Sequence, residues 1–206
     1  MIVLPTNDPL PELLPPRGYV APDELGDSGE GPRADSGARA LVSRAVEAAL
    51  AGDHAAALAL LDEAAGAPAG GDASARLLLD LNRAQVLLET GDLAGADGAA
   101  AAALRLARRE RQDRWAALAG LSSALVHLAR GRRNDARTRL GEAVRLFARA
   151  GDALRQVQCH YLLGEIAYLG EDPIRAGSHY RDALGIARAV HEQAWIDLLT
   201  LRFEHR

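Results

Sequence analysis

The chain has 206 residues, enough for one ordinary domain or a short repeat array; 49% are hydrophobic but only 4% aromatic, an Ala/Leu-rich mix that suits helices and leaves few sheet formers. The formal net charge of −4 disfavours nucleic acid as a partner, and because all 24 cations are arginine there is no Walker A loop, Schiff-base lysine or lysine base. Cys159, the single cysteine, excludes an intramolecular disulfide and a cysteine-based metal site, and with neither a signal peptide nor about 18 uninterrupted apolar residues the expectation is a soluble cytoplasmic protein without a membrane partner.

Residues 1–36 stand apart. They hold seven of the nine prolines, and seven acids against Arg17 and Arg33 give them net −5, while residues 37–206 carry +1. Proline removes backbone donors and like charges repel, so this segment is predicted to be a disordered, acidic tail. It carries small apolar clusters at Ile2-Val3-Leu4 and at Leu10, Leu13, Leu14, Tyr19 and Val20. A free tail is the expected reading; the alternative is a segment that docks on the body.

From residue 37 the pattern predicts nine helices, over 37–51, 54–65, 73–90, 93–110, 113–130, 134–150, 153–169, 173–189 and 192–204. Asp172 before Pro173 is a strong start, since the carboxylate caps and proline's missing N–H costs nothing in the first turn. Gly151-Asp152 joins a helix-ending glycine to the next N-cap. The stretch 66–74 is the loosest connection.

Small residues recur just after a turn at Ala57, Ala96, Ala136 and Ala176, in steps of 39, 40 and 40 residues. Gly52-Asp53, Gly91-Asp92, Gly131 and Gly170-Glu171-Asp172 precede them. A fixed period with a glycine stop in every copy predicts an all-α helix-pair solenoid of about four repeats plus a terminal helix. The best copy has Leu163-Gly164, Ala167, Ala176, Tyr180 and Ala183-Leu184; the second has Ala84, Leu87, Gly91-Asp92, Ala96 and Ala103-Leu104. The third has Ala124, Gly131, Ala136, Leu140 and Ala143, and the first Ala45, Ala48, Gly52-Asp53, Ala57, Leu61 and Ala64. On these residues the chain resembles the tetratricopeptide repeat family over 37–190, with 192–204 similar to the solvating helix that ends such arrays. The period exceeds the family's 34, and Ala69, Arg108, Ala148 and Arg188 stand near the closing-proline slot. Both departures imply longer helices, as in variant repeats of bacterial signalling and transcription-regulator proteins.

The resemblance implies that the first helix of each pair lines a concave surface. Its columns are Val42, Leu81, Leu121, Tyr161 and Leu201; Ala49, Leu88, Leu128 and Tyr168; and Val46, Gln85, Leu125 and Glu165. Their aliphatic members are read as core, with an apolar groove as the alternative. Gln158, Tyr161, Glu165 and Tyr168 share one helix face, and Asn82, Gln85 and Glu89 form a similar stripe; both are candidate partner-binding residues, since tyrosine and amides suit peptide recognition. The basic runs Arg105, Arg108, Arg109, Arg111 and Arg114, and Arg130, Arg132, Arg133, Arg137 and Arg139, lie around helix ends, where cations offset the macrodipole.

The six histidines are read as dispersed, and Cys159 and His160, adjacent on a helix, point about 100° apart. His191-Glu192 lacks the second histidine of a zinc helix. No catalytic, metal or cofactor site is predicted. The expected function is a non-catalytic interaction module for a protein, a peptide, a helix or a second copy of itself in a homo-oligomer. The alternative is a regulatory sensor that takes a small molecule or signal peptide and controls a partner such as a transcription regulator.

Overall fold

The computed structural model describes residues 19–20, 36–66 and 73–204. Among them are α1 (Ser36–Leu50), α2 (His54–Gly66), α3 (Ala73–Thr90), α4 (Leu93–Arg109), α5 (Asp113–Ala129), α6 (Arg133–Ala150), α7 (Ala153–Leu169), α8 (Pro173–Ala189) and α9 (Gln193–Glu204), with no strand. Each boundary lies within a residue of the sequence expectation. The chain forms two compact units, Met1–Arg111 and Gln112–Arg206. In the first, α1 pairs with α2 and α3 with α4, and α3 also packs on α1 and α2. In the second, α5 through α9 pack each on the next. The protein is thus all-α, with neighbouring helices paired in a solenoid-like manner inside each unit.

The alanines that mark the period sit where helices touch. Ala57, Ala96, Ala136 and Ala176 are all fully buried, and each begins an inward stripe at i, i+4 and i+7. These stripes read Ala57-Leu61-Ala64, Ala96-Ala100-Ala103, Ala136-Leu140-Ala143 and Ala176-Tyr180-Ala183, every member buried. Small side chains let the helix backbones approach closely, and the residue at i+4 fills the remaining space. In the last stripe that residue is tyrosine, and the facing helix gives way. A Cβ on Gly164 would overlap the Tyr180 ring, whereas Ala84 and Ala124 stand at the equivalent positions of earlier repeats.

One turn recurs between helices. A residue at positive φ stands at Gly91, Arg111, Gly131, Gly151, Glu171 and His191, every 20 residues. Its N–H bonds a carbonyl three residues back, and in most copies the next N–H bonds one five back, as Asp152 N to Phe147 O at 3.0 Å. That next residue then starts the following helix: Asp53, Asp92, Asp152 and Asp172 each accept from the backbone N–H three residues on. α7 stops at Gly170 as expected, but the left-handed residue is the next one. Gly170 has φ −92°, and Glu171 takes the left-handed conformation instead.

The column Val42, Leu81, Leu121 and Tyr161 is buried, so these residues are core, while Leu201 is exposed. Trp115 and Trp195, two periods apart, are both buried. Apart from Tyr19, Val20 and Ser36, the tail predicted over 1–36 lies outside the described residues, as does most of the 66–74 connection.

Candidate functional site

The stripe Asn82, Gln85 and Glu89 on α3 carries Tyr19 and Val20 of the chain itself. Asn82 accepts from the Val20 N–H through Oδ1 at 2.9 Å and donates from Nδ2 to the Val20 carbonyl at 3.0 Å. The same Nδ2 also donates to the Leu78 carbonyl, one turn back on α3. Two turns along, Glu89 Oε2 accepts the Tyr19 hydroxyl at 2.8 Å while Gln85 Nε2 donates to Glu89 Oε1 at 2.9 Å. His54, the first residue of α2, brings Nδ1 to 3.9 Å from Glu89. Tyr19 and Val20 are buried, as are Asn82 and Gln85. Of the two readings of the tail, these two residues follow the docked one.

A carboxamide offers a donor and an acceptor side by side, so it can satisfy both backbone groups of an extended residue as a neighbouring strand would. That contact is indifferent to side chain. The contacts that depend on side-chain identity are the burial of Val20 and the Tyr19 hydroxyl donating to Glu89.

The second stripe is arranged differently. Tyr161 and Glu165 on α7 are buried within the second unit, Gln158 is half-buried, and Tyr168 is exposed. Glu165 accepts from the Tyr180 hydroxyl of α8 and from Arg202 Nη2 of α9 at 2.7 Å. Tyr161 packs on Tyr180 and Trp195, with ring centroids 6.0 and 5.6 Å away, and the Arg202 guanidinium lies 6.0 Å from the Tyr168 ring. Burial alone disfavours a charged guanidinium, but Glu165, Tyr161 and Tyr180 outweigh it and hold Arg202 above its ordinary range. Burial, then the Glu165 charge, pushes the Tyr180 hydroxyl up, so it stays a donor. The α7 face therefore meets α8 and α9, and only Tyr168 of this stripe faces outward.

The arginine runs are largely engaged at helix ends. Arg114 donates to Asp152 at 3.0 Å, Arg133 to the Leu169 carbonyl at 3.3 Å, and Arg109 to Glu110 at 2.9 Å. Burial, opposed by Arg155, pushes the Cys159 thiol up to about 12, which leaves it protonated and inert.

The reading of the histidines as dispersed is corrected. His160 of α7 faces His179 of α8 with ring centroids 5.8 Å apart, and Asp182 lies one turn beyond His179. The two histidines are 19 residues apart on different helices, so sequence spacing holds no signal of their meeting.

No protein-family model and no curated protein matches the chain.

Proposed function

We propose that the chain is a non-catalytic, peptide-binding helical-repeat module of the tetratricopeptide type, and that α3 forms its peptide seat. The observation that carries this reading is the two-point bond between Asn82 and the Val20 backbone, closed at the other end by Tyr19 on Glu89. Three polar contacts made by side chains of one helix, two of them to the backbone of a single residue, are what a peptide site requires. The resemblance of the repeats supports it from the sequence side.

The occupant is part of the same chain, which favours regulated over constitutive binding. A tethered segment acts at an effective concentration on the order of millimolar, so a partner peptide must outcompete it. The reading as a sensor of a signal peptide shares this logic: the internal segment sets the threshold that the signal must exceed.

A labelled peptide spanning residues 14–25, titrated into the full chain and followed by fluorescence anisotropy, tests the proposal. The Tyr19→Ala, Val20→Asp chain is expected to bind it at least about tenfold more tightly than the wild type, because the internal competitor has gone. Adding Asn82→Ala to that chain abolishes binding. Equal affinity for the wild-type and opened chains overturns the proposal.

A further inference from the structure

We propose that His160, His179 and Asp182 bind a divalent transition-metal ion of the zinc class, with one coordination position left open. One ligand atom from each of the three lies within 4.8 Å of the other two. An ion about 2.0–2.2 Å from each ligand requires ligand atoms roughly 3.4 Å apart, so each must move by about an ångström. The side chains can supply that movement. Asp182 is exposed, both histidines are only partly buried, and His160 Nδ1 already stands 3.8 Å from Asp182 Oδ2.

The local fold prepares the ligands. His179 and Asp182 are three residues apart on α8 and so share a face, and His160 meets them from α7. Nδ1 of both histidines is shut off from water and has no hydrogen-bond partner, although buried nitrogens are normally satisfied. The nearby cation Arg175 lies 3.3 Å from Asp172, which offsets its charge, and Asp182 supplies the anion that faces the histidines.

The donor set selects the ion. Imidazole nitrogen with a carboxylate oxygen suits zinc and its first-row neighbours better than magnesium or calcium. Cys159 is next to His160 in sequence but fully buried, so no thiolate completes the set. Two histidines and one carboxylate leave the fourth tetrahedral position to water or an incoming donor, as in open zinc sites.

The test titrates the metal-free full chain with Zn²⁺ by calorimetry and with Co²⁺ by visible absorption. One ion per chain is expected, with ligand-field bands of a low-symmetry site and a melting temperature that rises with zinc. His179→Ala should remove the bands and the thermal shift. Asp182→Asn, at an exposed position that leaves the fold intact, should weaken binding by about tenfold or more. His191→Ala, outside the cluster, should bind like the wild type. Absence of one-site binding in the wild type overturns the proposal, as does binding that survives both His179→Ala and Asp182→Asn.

Discussion

Asn82 holds Val20 by both of its backbone groups, across 62 residues of chain. Because Asn82 is itself buried, its amide must find protein partners, and Val20 supplies two of them. The contact therefore stabilises the helix face as much as it captures the segment.

Asn82→Ala should release that segment. The Val20 amide, now bonded to Asn82 Oδ1, loses its protection from hydrogen exchange, while amides in α7 and α8 keep theirs. Released backbone groups regain water, so the cost to global stability is only about 1 kcal/mol. A Val20 amide that stays protected in the variant would show that Asn82 is not what holds it.

The Glu165–Arg202 pair makes a stronger demand, because both side chains are largely withdrawn from water. Arg202→Met removes the cation and leaves a buried carboxylate, a loss of about 3–5 kcal/mol. Replacing both, Glu165→Leu with Arg202→Met, should cost less than Arg202→Met alone, since no charge is then stranded. Urea unfolding of the three variants measures this. If Arg202→Met costs under about 1 kcal/mol, the pair is screened as a surface pair would be.

The helices were legible because their ends are written in local chemistry: Asp53, Asp92, Asp152 and Asp172 cap, and Gly52, Gly91, Gly131 and Gly151 stop. The stripe Asn82, Gln85 and Glu89 was legible too, from spacing alone. Its occupant was legible only as an alternative: Tyr19 and Val20 belong to an apolar cluster that stands out in the acidic, proline-rich stretch, but no periodicity says which helix face receives it. Tyr161 and Glu165 look like an outward face until α9 is placed against them, and only tertiary packing places it. His160 and His179 likewise meet only when α7 and α8 pair.

The repeating turn offers a local test. Glu171 sits at φ +58°, a conformation that glycine takes at other turns of the series, as Gly151 does at +72°. A side chain in that conformation costs roughly 1–2 kcal/mol, part of which is offset because glycine is freer in the unfolded chain. Glu171→Gly should therefore stabilise the protein by about 0.5–1 kcal/mol, and Arg111→Gly and His191→Gly should behave alike. Thermal melting decides; a lower melting temperature in all three would mean that these side chains contribute contacts outweighing the strain.

The His160–His179 pair predicts how stability depends on acidity in metal-free buffer. Burial, the largest influence, lowers both folded-state pKa values from 6.5; Asp182 opposes it for both, while His179 adds to the effect at His160 and Arg175 at His179. The unfolded chain then binds protons more readily than the folded one, so protonation favours unfolding. The stability these neutral imidazoles allow is fully present above 6.5 and is lost as pH falls through the lowered folded-state values. Other acids contribute at lower pH, so the informative comparison is with the His160→Gln, His179→Gln chain. Its melting temperature should fall less steeply than the wild type's over the first stretch of acidification below 6.5. Equal slopes for the two proteins would show that the pair exchanges protons as freely when folded as when unfolded.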